Sequence, residues 1–188
     1  MRIISGTHKG KVLNPPKGLP SRPTTDFAKT GLFNILNNRI DYEETRVLDL
    51  CCGTGNISFE FASRGVQHIT CVDMHATCLK YISETAKALN FSGFTTFKAD
   101  AFKFLEKNED TFDLIFVDPP YAAEWIEQIS DVVFNKDILT ESGLLIIEHG
   151  DKTDLSEKKN FKEKRNYGNV NFSIFINDLN RKDAKTQS

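Results

Sequence analysis

The stretch RVLDLCCGTGNISFEFASRG, Arg46 to Gly65, decides the fold. A short apolar run, residues 46–50, meets a glycine turn and then a segment of helical spacing, residues 57–65, that stops at Gly65. A strand passing through glycines into a helix is half of a strand–helix–strand unit, and the chain beyond it repeats that unit. HITCVD (68–73) reads as a second strand. HATCLKYISETAKALN (75–90) reads as a helix with Leu79, Ile82, Ala86 and Leu89 on one face. A third strand (94–100), a short helix (101–108), a fourth strand (112–118), a helix (123–135) and a fifth strand (143–150) follow. Strands alternating with helices predict a mostly parallel sheet covered on both sides, and the apolar middle of residues 112–118 suits a strand buried on both faces.

At the C-terminal end the pattern changes. FKEKRNYG and NVNFSIFIND alternate polar and apolar residues around Tyr167-Gly168-Asn169, which predicts an antiparallel hairpin closing a seven-stranded sheet. Residues 181–188 lack apolar periodicity and are expected to be a frayed tail. Ahead of the first strand, residues 1–25 hold four of the six prolines, and RIISGTHKGKVL suggests a small β-hairpin turning at His8 to Gly10. DFAKTGLFNILNN (26–38) reads as a helix with Asp26 as its N-cap. We therefore expect a basic N-terminal extension (1–40), a main α/β domain (41–180) and the tail (181–188).

The chain has 188 residues, 39% hydrophobic and 27% charged, the composition of one globular domain with a sizeable core. Its apolar runs are strand-length and its N-terminus lacks the apolar stretch of a secretory signal, so a cytoplasmic protein is expected. Cys51, Cys52, Cys71 and Cys78 show no metal-ligand spacing and are expected to be reduced, small side chains. The net charge of −2 conceals an asymmetry. Residues 1–29 sum to +5 and residues 157–188 to +4, around a middle of −11. Basic ends on an acidic middle suggest a polyanionic partner gripped by the ends.

In an open parallel sheet, ligands bind beyond the carboxyl ends of the strands, near the point where strand order reverses. Three such ends carry residues of interest. In DLCCGTGNIS, Gly53 and Gly55 permit a tight turn and close approach of a ligand to the backbone. Ser58 stands where the dinucleotide fingerprint needs its third glycine. Asp49 ahead of the turn would repel a pyrophosphate but accommodate the cationic amino-acid end of S-adenosylmethionine. Asp73, closing the second strand with no backbone work expected of it, can accept both hydroxyls of a ribose; its alternative is to cap the next helix. Asp100, with Ala101 and Phe102 behind it, can accept from an adenine amine, or again cap a helix. At the end of the fourth strand stands DPPY, Asp118 to Tyr121, with more functional groups than a strand terminator needs.

DLCCGTG, CVD, KADAF and DPPY, on successive strands, resemble a Rossmann-like class I methyltransferase that uses S-adenosylmethionine. MRIISGTHKGKVLNPP, RPTTD, LFNIL and RNYGNVNFSIF extend the likeness across residues 1–178. They resemble the bacterial enzymes that methylate a guanine N2 in 16S ribosomal RNA, the RsmD family. The resemblance implies a cofactor site of Asp49, Gly53, Gly55, Asp73, Met74, Asp100, Ala101 and Asp118, and a catalytic motif of Asp118, Pro119, Pro120 and Tyr121. It further implies a monomer acting on 16S ribosomal RNA or the assembled small subunit, with Arg2, Lys9, Lys11, Arg22 and Lys29 on phosphates. Where the family usually reads DLFAGSGALG this chain has DLCCGTGNIS, and where it has RVRE after RPTTD this chain has FAKT, leaving Lys29 as the one cation of that block. DPPY serves an adenine N6 amine equally well, so an adenine methyltransferase is the nearest rival. A non-catalytic RNA-binding protein of the same fold is another.

Overall fold

The computed structural model describes residues 1–19, 24–120 and 123–178. Tyr121, Arg22 and the expected tail at 181–188 lie outside the described residues. Seven strands form one sheet in the order β3-β2-β1-β4-β5-β7-β6. The strands are β1 (Arg46–Leu50), β2 (His68–Asp73), β3 (Phe94–Lys98), β4 (Phe112–Val117), β5 (Leu139–His149), β6 (Phe161–Tyr167) and β7 (Val170–Ile176). The first five run parallel, whereas β7 pairs antiparallel with both β5 and β6. The expected α/β class, strand count and C-terminal hairpin are all found.

Helices α1 (Asp26–Leu36), α2 (Asn56–Ser63), α3 (Ala76–Ala88), α4 (Ala101–Lys107) and α5 (Ile126–Asn135) cover the sheet. Two apolar cores result. One holds Val47, Phe116, Ile146 and Phe172 against Leu32, Phe33, Phe59 and Ile82. The other holds Leu48, Leu50, Val117 and Ile147 against Leu105, Ile129 and Val133. Consecutive residues of β1 and β4 feed opposite cores, which is why these strands read as continuous apolar runs.

Several boundaries differ from expectation. Thr25, not Asp26, caps α1: its backbone is extended and its hydroxyl accepts from the Ala28 N–H at 3.2 Å. Asp26 sits in the first turn and pairs with Arg2 at 2.9 Å. Helix α5 starts at Ile126 rather than residue 123. Strand β5 starts at Leu139, four residues early, with a register shift against β4 that lets the chain pass Ser142 at φ 63°.

The N-terminal segment closes on itself through one isolated bridge, Arg2 with Val12, supported by Ile3 N–H to Lys11 O at 2.9 Å. It docks on the end of α2. Glu60 accepts from the Ile4 and Ser5 amides at 2.8 and 3.0 Å, and Ser63 O accepts from Thr7 N–H at 2.7 Å. Gly6 is required here, because its φ is +79° and a Cβ would lie 1.7 Å from Ser63 O.

Lys29 does not face solvent. It is 1% exposed, lies 3.4 Å from the Glu60 carboxylate, and donates to Arg2 O at 2.6 Å and Asn56 Oδ1 at 2.9 Å. The expected phosphate contact at Lys29 is therefore corrected: the ammonium is the buried counterion of Glu60. Burial pulls its pKa below the ordinary lysine range, with Glu60 opposing that shift. Removing one partner of such a pair strands a buried charge. Lys29→Ala is expected to destabilise the protein by about 3–5 kcal/mol in urea unfolding. Lys9→Ala, on the exposed N-terminal turn, should change it by less than about 0.5 kcal/mol. Similar small losses in both variants would refute the role given to the pair.

Candidate active site

Strand order reverses between β1 and β4: β2 and β3 lie to one side, β5 to the other. The crevice that opens at such a reversal is where α/β sheets bind ligands. A cleft of about 1080 Å³ opens there, lined by residues at and beyond the carboxyl ends of β1, β2, β3 and β4, by Glu148 near the end of β5, by the β6–β7 turn, and by Thr24, Thr25 and Phe27 of the N-terminal segment.

The glycine turn forms its inner wall. Cys51, Gly53 and Gly55 have φ values of 59°, 53° and 76°, so the chain passes through the left-handed region three times in five residues. Gly55 is the N-cap of α2, and a Cβ there would meet Ile82 Cγ1 at 3.0 Å. The turn thus sits against α3 and presents backbone to the cleft.

Asp73 does have backbone work, contrary to expectation. Its Oδ2 accepts from the Gly53 N–H at 2.9 Å and its Oδ1 from the His75 N–H at 2.8 Å, so the carboxylate ties the end of β2 to the glycine turn. His75 Nδ1 also lies 2.9 Å from Oδ1, so the acceptor capacity left for further donors is chiefly on Oδ2. Met74, 62% exposed, lines the cleft beside it. Asp100 caps α4, accepting from Lys103 N–H at 3.1 Å, and reaches the cleft together with Ala101. At these two acids, capping or tethering and cleft lining coexist rather than exclude one another.

Across the reversal, the Asp118 N–H donates to Leu50 O at 3.2 Å, which fixes the start of the DPP turn against the end of β1. Pro120 O accepts from Ala123 N–H at 2.8 Å, whereas Pro119 O has no backbone donor among the described residues. Asp118, Pro119 and Pro120 all line the cleft.

The structure adds Thr24 and Asn56, and gives a setting to Glu148, which the sequence places at the end of the fifth strand near the pocket without a role. Glu148, 3% exposed, stands beside Asp118, because Val117 pairs with Ile147 one position earlier. Its Oε2 accepts from the Thr24 hydroxyl at 3.0 Å. Asn56 Nδ2 donates to Thr24 O at 2.9 Å, joining that contact to Lys29 and Glu60. Thr24 lay in the quoted RPTTD and Glu148 closes the fifth strand, but only the packing of the N-terminal segment brings them together. Arg2, Lys9 and Lys11 are exposed on the N-terminal segment, outside the cleft lining.

Burial dominates the electrostatics. It raises Asp49 to about 7, against the lowering effect of the Ser58 hydroxyl, which donates to Asp49. Burial also raises Glu148 to about 7, against the Thr24 hydrogen bond. Asp118 is pushed well above the carboxylate range by burial, then by Glu148 and Asp49. A cavity of carboxylates held partly protonated favours a cationic ligand, whose charge would offset the cost of ionising them. Cys51, Cys52, Cys71 and Cys78 are free thiols, and no group of three or more potential metal ligands occurs among the described residues. No helix among them is long and apolar enough to cross a membrane.

A sheet of this order, with the glycine turn and the DPP turn facing each other across its reversal, defines the class I S-adenosylmethionine-dependent methyltransferases, and this enzyme is one of them. Residues 1–176 match the family described as conserved hypothetical protein 95, and the chain belongs to that family. YlbH of Bacillus subtilis, whose name assigns it provisionally to rRNA methylation, is 32% identical over 84% of this chain and 86% of its own. Ribosomal RNA small subunit methyltransferase D of Haemophilus influenzae is 29% identical over 94% of each chain. The Thermus thermophilus 16S rRNA N2 G1207 methyltransferase RsmC, solved with AdoMet and guanosine, superposes with a TM-score of 0.67 at 19% identity. That match covers 85% of this chain and 45% of RsmC. The chain is related to the small subunit methyltransferases D and shares the fold of RsmC.

The raised carboxylates set a pH dependence. A carboxyl whose folded pKa lies above its unfolded value holds its proton longer when folded. Folding stability therefore falls as pH rises from about 4 to about 7 and levels off above that. Glu148→Gln removes one such group. Its thermal midpoint is expected to match wild type near pH 4 and to exceed it near pH 8, by an amount on the order of 1–3 kcal/mol in stability. A difference that is constant across pH would contradict the assigned shift.

Proposed function

We propose that the enzyme transfers a methyl group from S-adenosylmethionine to the exocyclic N2 amine of a guanine in small-subunit ribosomal RNA. The observation that carries this reading is the placement of Asp118 and Pro119 opposite the glycine turn in one acidic cleft. The names of the relatives above support the RNA and the base.

The cleft suits the cofactor. Asp49 and its neighbours favour a ligand bearing ammonium and sulfonium charge, Asp73 retains lone pairs for ribose hydroxyls, and Asp100 with Ala101 and Met74 borders the far wall. When bound, S-adenosylmethionine supplies an electrophilic methyl on a sulfonium. The chain's own task is to prepare the amine. The lone pair of a guanine N2 is delocalised into the ring, so the nitrogen is a weak nucleophile. Acceptors aimed at its two N–H bonds favour the partly tetrahedral, partly cationic nitrogen that forms as it attacks. The Asp118 carboxylate and the Pro119 carbonyl are two such acceptors one peptide apart. The Pro119 ring fixes its φ, and Pro120 holds Pro119 extended, so the carbonyl has little freedom of direction. Tyr121 is assigned to stacking on the base, worth roughly 1–3 kcal/mol, and the base must be unpaired or flipped to reach it. Positioning supplies much of the acceleration.

Lys9 and Lys11, with Arg2 and Arg22, are assigned to phosphates, where they orient the RNA without reading its sequence. Residues 1–40 would thus serve RNA contact while 41–180 carry the chemistry.

Incubation of the protein with methyl-labelled cofactor and small ribosomal subunits lacking guanine-N2 methylation, followed by mapping of the label, tests the reading. Label on a guanine N2 of the 16S RNA is expected; label on adenine, or none on nucleic acid, would overturn it. Asp118→Ala should bind the cofactor within a few-fold of wild type yet transfer methyl about 10²–10³-fold more slowly. Unchanged turnover would remove Asp118 from the mechanism. Lys9→Ala and Lys11→Ala should each weaken RNA binding for all sequences alike and reduce the salt slope by about 1. A salt slope equal to wild type would free them of that assignment.

A further inference from the structure

DPPY alone does not distinguish a guanine N2 amine from an adenine N6 amine, yet the cleft holds a second buried carboxylate that the methyl-transfer chemistry leaves unused. Glu148 ends β5 beside Asp118, faces the same cleft, and is positioned by the Thr24 hydroxyl at 3.0 Å on Oε2. Thr24 is itself held by Asn56, which donates to its carbonyl at 2.9 Å. The hydroxyl fixes one carboxylate oxygen, while Oε1 has no donor among the described residues. The neighbouring Glu148 and His149 side chains go to different partners: His149 Nε2 meets the Ser173 hydroxyl at 2.8 Å, away from the cleft lining.

Two carboxylates side by side, with no lysine or arginine among the described residues lining the cleft, ask for a ligand with donors on adjacent atoms. Guanine presents such an edge, with N1–H directly beside the N2 amine. Adenine presents an amine beside an unprotonated ring nitrogen, which would set a lone pair against a carboxylate oxygen. Desolvated acceptors discriminate strongly in this way, because the wrong base leaves a buried group unpaired.

We propose that Glu148, oriented by Thr24, accepts the N1–H of the target base while Asp118 and Pro119 take its amine, and that this contact selects guanine over adenine. The inference rests on the proposed guanine-N2 reading and deepens it. Glu148 is a specificity residue in this scheme: it touches the base but takes no part in bond making. The N-terminal segment then contributes to base selection through Thr24, quite apart from any contact with RNA phosphates.

The test is equilibrium binding of guanosine, 1-methylguanosine and adenosine to the protein saturated with S-adenosylhomocysteine, in wild type and Glu148→Ala. Wild type should bind guanosine at least about tenfold more tightly than either other nucleoside, the loss expected for one hydrogen bond to a charged group. In Glu148→Ala the guanosine affinity should fall by a similar factor and the three nucleosides become nearly equal, while S-adenosylhomocysteine binding stays at the wild-type level and reports the fold. Thr24→Val, which keeps Glu148 but removes its tether, should show an intermediate preference. If the variant still discriminates against 1-methylguanosine as wild type does, another group reads N1 and the role of Glu148 is wrong, with the guanine assignment intact. If wild type itself does not distinguish guanosine from adenosine, the guanine reading falls and this inference with it. Methyl transfer to undermodified subunits gives a second readout: Glu148→Ala should raise KM, and an unchanged KM would overturn the contact.

Discussion

The buried pair of Lys29 and Glu60 is the constraint on which the arrangement of the cleft depends. Glu60 is fully buried on α2 and would be untenable there without compensation, since an isolated buried carboxylate costs several kcal/mol. It receives the Ile4 and Ser5 amides, the Arg64 guanidinium at 2.9 Å and the Lys29 ammonium at 3.4 Å. These partners come from the N-terminal segment, from α1 and from α2 itself, so satisfying one carboxylate fixes three pieces of chain. Lys29 passes the constraint on through Asn56 to Thr24, and Thr24 reaches Glu148 at the end of β5. A hydrogen-bonded line thus runs from the buried Glu60 of α2 to the lining of the cleft. Because each buried member is paired, the network specifies one docking of the N-terminal segment where an apolar contact would tolerate several.

The cleft itself is arranged the opposite way. Glu148 raises the pKa of both Asp49 and Asp118, Asp49 raises that of Asp118, and no lysine or arginine among the described residues lines the cleft. Such a cluster opposes folding at neutral pH, and the cost is carried by the two apolar cores on either side of the sheet. The backbone around it is also strained, with Cys51 at φ 59° in a turn where glycines hold the other left-handed positions. Stability is concentrated at α2 and in the cores, and its deficit is confined to where a cationic cofactor and a base rich in donors would relieve it.

Much of the fold was legible because it depends on periods of two and 3.6 and on glycine turns, which are local. The alternation of strand and helix, the terminal hairpin and the ligand-binding end of the sheet follow from residues within a few positions of one another. What was not legible depends on partners far apart in sequence. A threonine before a helix offers a hydroxyl whether or not the next residue is an acid, and the ion pair of Asp26 with Arg2 left the cap to Thr25. Asp73 and Asp100 seemed to face a choice between backbone and ligand, but a carboxylate has lone pairs enough for both. The strand-end position of Glu148 pointed toward the pocket but gave it no role, because its setting depends on Asp118 on the neighbouring strand and on Thr24, 124 positions earlier. Glu60 did carry a signal, a lone acid among the apolar residues of NISFEFAS, and such an acid on a buried helix demands a distant cation.

The same distinction changes what the basic N-terminus means. Counting residues gives the first 29 positions a charge of +5, as though all of it faced solvent. Folding withdraws Lys29 into the protein as the counterion of Glu60 and engages Arg2 with Asp26. Among the described residues of that segment, Lys9, Lys11 and Lys17 remain exposed without a carboxylate partner. Among the described residues of the segment, those three are the free positive charges it presents to a polyanion, fewer than the composition suggests. The block FAKT, residues 27–30, places its only cation inside and leaves Phe27 68% exposed at the mouth of the cleft, edge-on to Tyr167 at 5.7 Å. A charge spent on internal cohesion is unavailable for attraction, so what this block presents at the rim is an aromatic ring and not a cation.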